Sequence, residues 1–88
     1  MVCKSDKGNI TIRYDDEMIL GYKSKIVNNS EFIMNFDYSI KLVRQYGLAE
    51  FLDALKNFFE EESNGTCTYE GVVPKMKNNN NPLNLRNV

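Results

Sequence analysis

The sequence predicts an α+β domain in which a three-stranded antiparallel meander packs on one long helix. Residues 39–62 carry apolar side chains at steps of three and four, the spacing of a helix with one buried face. Residues 10–15 and 18–26 alternate apolar with polar side chains, the period of a half-buried strand. Because 88 residues suffice for one modest core, we expect the strands and the helix to share it.

The first predicted element after a flexible leader of residues 1–8 is a β-hairpin. Its strands, residues 10–15 and 18–26, meet at an acidic turn of residues 15–17, where carboxylates are normally solvated. One set of side chains should face the helix: Ile10, Ile12, Tyr14, Met18, Leu20, Tyr22 and Ile26. The opposite face of the hairpin should be polar and exposed.

A third strand is predicted after the turn of residues 28–30, where asparagine tolerates left-handed backbone angles. In this strand Phe32, Met34 and Phe36 share one face. The helix of residues 39–62 then lies across the meander, so that both elements bury their apolar sides.

Gly47 lies inside the predicted helix and leaves two alternatives. A glycine can end a helix, or it can sit within a longer one at a cost of about 1 kcal/mol relative to alanine. The apolar stripe continues in phase on both sides of Gly47. The sequence therefore favours one helix, bent at this point.

The C-terminal part of the chain changes composition after the helix. Residues 66–73 contain enough threonine, tyrosine and valine for a short fourth strand. The predicted domain thus covers residues 9–73, and residues 74–88 form a low-complexity, flexible tail. Leu83 and Leu85 are its large apolar side chains, which can dock into a partner groove or back onto the domain.

Two cysteines, Cys3 and Cys67, lie far apart in a chain that has no histidine. Structural zinc needs about four cysteine or histidine ligands, so we predict neither a metal nor another cofactor. Reduced thiols are the expected state, with Cys67 in the core and Cys3 in a mobile end.

The motifs of catalysis and membrane insertion are also missing from the sequence. There is no histidine for general base catalysis, no glycine-rich phosphate loop and no nucleophile elbow, so we predict no catalytic residue and no enzymatic activity. No apolar window approaches the roughly 20 residues of a membrane span. We therefore expect a protein that does not contact membranes and lies in the cytoplasm, or in the host cytoplasm if it is viral.

Acidic residues concentrate on the predicted helix and motivate the first functional hypothesis. The proposed partner-binding surface consists of Glu50, Asp53, Glu60, Glu61 and Glu62. Such a surface can mimic phosphate charge and block the basic cleft of a larger, nucleic-acid-binding protein. The chain resembles small phage-encoded inhibitors in its size, its charge layout and an amino-acid composition typical of AT-rich genomes. It shares no sequence motif with them. The sequence thus favours a non-enzymatic protein-interaction module of this inhibitory, host-virus type.

Two alternatives remain open. Arg13, Lys23 and Lys25 should lie on the sheet face that points away from the helix, where they can bind nucleic acid directly, together with the basic tail, as a small regulator would. The acidic sequence pI of about 5.4 makes this the second choice. The other alternative is a self-assembling structural subunit or homodimer that pairs through exposed Ile19, Ile33 or the strand edges.

Overall fold

The computed structural model describes residues 1–26, 36–77, 83 and 85. These residues form one antiparallel sheet and two helices, which confirms the α+β class. The elements follow the chain as β1 (Val2–Ser5), β2 (Gly8–Tyr14), β3 (Ile19–Ile26), α1 (Phe36–Tyr46), α2 (Leu48–Ser63) and β4 (Thr66–Thr68). The four strands have the spatial order β3-β2-β1-β4.

Strand β1 replaces the flexible leader that the sequence predicts. It pairs with β2 on one side and with β4 on the other, so it lies inside the sheet. Ser5 lies opposite Gly8, and the intervening Asp6 and Lys7 make the turn of the hairpin. The prediction was wrong because β1 is only four residues long and owes much of its pairing to β4, which lies far away in sequence.

Strands β2 and β3 confirm the predicted hairpin, with one irregularity near its turn. Arg13 lies opposite Gly21 and Tyr14 lies opposite Ile19, so Leu20 is an extra residue in the ladder. A bulge of this kind reverses the alternation of faces beyond it. Ile19 is therefore buried in the core, whereas Leu20, predicted to face the helix, is 55% exposed.

The single long helix of the prediction is two helices, α1 and α2, separated by Gly47. At Gly47 the backbone adopts φ 109 and ψ 156, a conformation that residues with a Cβ rarely adopt. The Gly47 amide still donates to the Val43 carbonyl at 2.8 Å, and the Gly47 carbonyl accepts from the Phe51 amide at 3.1 Å. Gly47 thus closes one helix and opens the next, which is the alternative that the phase of the apolar stripe disfavoured.

The predicted third strand falls mostly on residues 27–35, which lie outside the described residues. Its last positions, Phe36 and Asp37, are instead the first residues of α1. The three-stranded meander is therefore confirmed only for β2 and β3, and the described sheet is completed by β1 and β4.

Both helices pack on the same face of the sheet. Buried side chains of the two layers form one cluster, to which the sheet contributes Cys3, Ile10, Ile12, Ile19 and Cys67 and the helices contribute Leu42, Val43, Leu48, Phe51, Leu52, Leu55 and Phe59. The predicted inward orientation of Ile10 and Ile12 is confirmed. Neither α1 nor α2 is long and apolar enough to cross a membrane.

Cys3 and Cys67 form a disulfide across the paired strands β1 and β4. Both residues are buried in the core. The prediction placed Cys67 correctly, but the expectation of reduced thiols was wrong because it assumed that Cys3 lay in a mobile end. Once β1 pairs with β4, the two cysteines are directly opposite each other.

The segment after β4, residues 69–77, runs back across the domain, and we call it the strap. The Tyr14 hydroxyl donates to the Val72 carbonyl at 2.8 Å, and the Lys77 amide donates to the Glu50 carboxylate. Leu83 and Leu85 pack against the core. The predicted flexible tail of residues 74–88 is therefore anchored at these described positions.

Gly65 connects α2 to β4 at a point where the chain passes closely over β1. A Cβ at this position would lie 2.7 Å from Ser5 Cβ and 2.8 Å from Phe59 Cε1, and it would also meet the Lys4 carbonyl oxygen. We expect Gly65→Ala to lower the free energy of unfolding by about 1–3 kcal/mol because the backbone must shift. Urea unfolding measures this loss. Gly21→Ala is the control, since its Cβ would find its nearest neighbour at 3.7 Å, and equal midpoints for the two variants would contradict the prediction.

Candidate functional site

The helices cover one face of the sheet, and among the described residues the other face is left open to solvent. We call this open side the outer face. Strand register places its side chains in rows: Lys25, Asn9, Lys4 and Thr66 form the first row, Lys23, Thr11, Val2 and Thr68 the second, and Gly21 and Arg13 the third. This outer face brings together cationic side chains from three strands.

Four cations lie on the outer face, and all are exposed. Arg13, Lys23 and Lys25 occupy the positions that the sequence predicts, on β2 and β3. Lys4 joins them from β1, two strands away from Lys25. None of the four forms an ion pair with another residue that the structure describes, so their charges are available to an external anion.

Sequence reasoning missed Lys4 because residues 1–8 were assigned to a leader. The signal that could have found it is the stretch Ser5-Asp6-Lys7-Gly8, which separates two short β-compatible segments with turn residues. Ser5 supports this turn, since its hydroxyl accepts from the Lys7 amide at 3.1 Å. A hairpin at this position puts Lys4 opposite Asn9 and therefore on the outer face.

Uncharged hydrogen-bonding side chains lie between the cations. Asn9 and Thr11 are on β2, between Lys4 of β1 and the lysines of β3. A shallow depression of about 520 Å³ beside Lys23 and Lys25 is lined in part by the same two residues. The outer face thus combines charge with amide and hydroxyl donors, the groups that contact phosphates in nucleic-acid complexes.

An acidic turn limits the outer face at the end of β2. The Asp15 carboxylate accepts from the amides of Glu17 at 2.8 Å and Met18 at 2.7 Å. These hydrogen bonds hold the pKa of Asp15 below its ordinary value. With Asp16 and Glu17 also exposed there, an extended anion would be repelled beyond Arg13.

The predicted acidic surface is divided by the fold. Glu50 is only 4% exposed, and its carboxylate accepts from the Lys77 amide. It also lies directly over Gly47, where a Cβ would collide with it. Glu50 therefore holds the strap at the junction of the two helices and does not contribute its carboxylate to a binding surface.

The other predicted acidic residues have separate surroundings. The half-buried Glu60 accepts from the Cys67 amide at 3.0 Å and pairs with Lys56 at 3.4 Å. Asp53 accepts from the Asn57 amide group at 3.4 Å. The remaining two are at the end of α2, Glu61 exposed and Glu62 half-buried. The fold thus leaves a smaller acidic surface than the sequence predicts.

The residues proposed for self-assembly are also changed by the fold. Ile19 is buried behind the bulge and is not available for pairing, and Ile33 lies outside the described residues. Among the described residues, no group of three or more histidine, cysteine, aspartate or glutamate side chains is placed to hold a metal ion.

The strap depends on a tyrosine hydroxyl, which makes its anchoring sensitive to alkaline pH. Burial, and secondarily the charge of Glu70, raise the pKa of Tyr14, and burial also raises the pKa of Tyr69. A raised pKa means that the fold favours the neutral phenol. The stability that the fold gains while both phenols are neutral is fully present below pH 10. It is lost as the pH rises through the pKa values of the two tyrosines in the folded state.

We therefore expect Tyr14→Phe to lower the free energy of unfolding by about 0.5–1 kcal/mol at pH 8, because the hydrogen bond to Val72 is lost. Between pH 9 and pH 11, the urea midpoint of the wild type should fall further than that of the variant. The two proteins differ only at this side chain, so the difference between their midpoints reports on Tyr14. If the urea midpoints of the wild type and the variant fell equally over this pH range, the Tyr14 hydroxyl would be ruled out as an anchor of the strap.

Comparison of the chain with protein-family models gives no match, and comparison with curated proteins and with solved structures gives none either.

Proposed function

We propose that this chain is a small, non-enzymatic nucleic-acid-binding domain that binds the phosphodiester backbone through its outer face. The observation that carries the proposal is the grouping of Lys4, Arg13, Lys23 and Lys25 on one open sheet face, with no acidic side chain among the described residues of its three rows. The fold adds Lys4 to the residues named by the nucleic-acid hypothesis. It buries Glu50, one of the residues named by the acidic hypothesis.

The overall charge does not oppose this function. The chain has a formal net charge of −1, but exposed charges act over roughly 8–10 Å at physiological salt. A polyanion approaching the outer face therefore meets mainly the four cations of that face. The acids of α2 lie on the helical side of the sheet and would orient the domain, so that the outer face leads during encounter.

The expected chemistry is mostly electrostatic. Each cation that neutralises a phosphate releases condensed counterions, and the binding constant then falls with salt with a logarithmic slope of about −0.9 for each phosphate contact on a duplex. Four cations with the neighbouring donors Asn9 and Thr11 predict a slope between about −2 and −4 for the wild type. We expect binding at low salt and little binding above roughly 0.3 M.

Fluorescence anisotropy with a labelled 20-base-pair duplex, titrated at several salt concentrations, measures this slope. Sedimentation velocity on the same samples determines whether the domain is a monomer or a dimer, and so tests the alternative of self-assembly. Absence of binding at 50 mM salt, or binding whose strength does not depend on salt, would contradict the proposed function.

A second candidate is the protein-interaction module with acidic mimicry, including the phage-type inhibitor. It is favoured by the exposure of Glu61 beside Glu62 at the end of α2. Its partner would be a larger, basic protein, and its location the cytoplasm. A Glu61→Gln/Glu62→Gln variant should then release the partner in a pull-down that survives nuclease treatment, whereas unchanged retention would remove this candidate.

A further inference from the structure

We infer, on the basis of the proposed function, that the nucleic acid is duplex DNA and that the outer face enters its major groove with β2 as the central strand. The inference rests on how the outer-face side chains are divided among the strands. Lysines occupy the flanking strands, Lys4 on β1 and both Lys23 and Lys25 on β3. Strand β2, between them, carries Asn9, Thr11 and Arg13.

The two strands beside β2 have a spacing comparable to the width of the groove. Neighbouring strands lie about 4.8 Å apart, so β1 and β3, on either side of β2, are separated by roughly 10 Å. The major groove of B-form DNA is about 12 Å wide and admits a two-stranded β-ribbon, so the short strand β4, which lies beyond β1, would stay outside the groove. With β2 along the floor of the groove, Lys4 would point to one phosphate strand and Lys23 and Lys25 to the other.

The side chains of β2 are suited to base edges. Asparagine can bond adenine at two atoms, arginine can bond guanine at two atoms, and threonine can contact either a polar edge or the thymine methyl group. Asn9, Thr11 and Arg13 alternate along β2, so all three project from the same face. The strand thus carries the side chains that distinguish sequences, while the lysines beside it supply binding that is independent of sequence.

Single-stranded nucleic acid and duplex RNA fit this face less well. Proteins that bind single strands stack bases on aromatic side chains, and the three rows of the outer face contain none among the described residues. Tyr14, Tyr22 and Tyr69 pack against the core, and Tyr22 also lines the depression beside Lys23 and Lys25. Duplex RNA has a deep, narrow major groove that side chains do not read. B-form DNA is therefore the ligand that this distribution of residues favours.

The test compares four labelled probes at 50 mM salt: duplex DNA, single-stranded DNA of the same sequence, duplex RNA, and duplex DNA preincubated with the major-groove dye methyl green. We expect the wild type to bind duplex DNA at least about tenfold more tightly than the other three. Netropsin, which occupies the minor groove, should leave binding unchanged. Arg13→Ala should reduce the spread of affinities across a set of duplex sequences, whereas Lys23→Gln should weaken binding to all of them by a similar factor.

The outcomes separate the inference from the proposed function on which it rests. Equal or tighter binding to single strands or to duplex RNA, or competition by netropsin but not by methyl green, would overturn the major-groove inference and leave the nucleic-acid function intact. Failure of every probe to bind would overturn both. Far-ultraviolet circular dichroism of Arg13→Ala and Lys23→Gln shows whether each variant is folded.

Discussion

Reduction of the Cys3–Cys67 disulfide should lower the free energy of unfolding by about 2–4 kcal/mol. The bond joins residues separated by 64 positions, so in the unfolded chain it closes a loop that includes most of the domain. Closing a long loop removes conformational entropy from the unfolded state, and this raises the relative stability of the fold. Since small domains are stabilised by only about 5–15 kcal/mol, the change should be large in any unfolding experiment.

Urea unfolding with and without a phosphine reductant measures this effect. A Cys3→Ala/Cys67→Ala variant is the control, because its midpoint should be low in both conditions and insensitive to the reductant. Two titratable thiols in the unreduced, denatured wild type would contradict the presence of the bond. Because disulfides persist mainly in oxidising compartments, this experiment also bears on the cytoplasmic location, which stays a prediction.

Neutralising the four cations of the outer face should abolish binding to nucleic acid. The variant combines Lys4→Gln, Arg13→Gln, Lys23→Gln and Lys25→Gln. At 0.1 M salt, loss of four phosphate contacts corresponds to a decrease in affinity of roughly three orders of magnitude, and the salt dependence should become nearly flat. All four side chains are exposed, so the variant should keep the stability of the wild type within about 1 kcal/mol.

The matched control removes the same number of charges elsewhere. Lys41, Arg44, Lys75 and Lys77 are also exposed, on α1 and the strap. Their replacement by glutamine makes the same change in net charge, and we expect it to reduce affinity by less than about tenfold. Similar losses in the two quadruple variants would mean that net charge, and not the outer face, determines binding.

The alternation of side chains predicted the hairpin of β2 and β3. Ile10 and Ile12 are buried as the period of two requires, and Arg13, Lys23 and Lys25 are exposed on the opposite side. A hairpin brings its two strands together through local contacts, so its pattern can be read without knowing the rest of the fold. The same reasoning failed at Ile19 and Leu20, because the bulge at Leu20 exchanges the faces of these two residues.

The remaining differences depend on contacts between distant residues. Strand β1 pairs with β4, which follows α2, and Cys3 is buried only because that pairing forms. Likewise, the burial of Glu50 follows from its bond to the Lys77 amide, on a strap that the sequence presents as a polar tail. A local pattern does not contain such contacts, so Cys3 was assigned to a mobile end and Glu50 to the surface. Lys4 was missed for a different reason, because the four residues of β1 are too few to show a clear alternation.

Gly47 illustrates a different limit. An apolar stripe that stays in phase is compatible with one bent helix. It is equally compatible with two helices whose apolar faces pack on the same core. The choice depends on the backbone conformation at one residue, which here has a positive φ that glycine adopts readily. Glycine permits both conformations, and its presence alone does not decide between them.

The most direct measurement is a titration of isotopically labelled protein with the 20-base-pair duplex, followed through the amide chemical shifts. Binding by the outer face predicts that the largest changes occur in β1, β2 and β3, at Lys4, Asn9, Thr11, Lys23 and Lys25, with small changes in α2. Changes concentrated at the α2 residues Glu61 and Glu62, or spread evenly over the domain, would contradict the assignment of the outer face as the binding site.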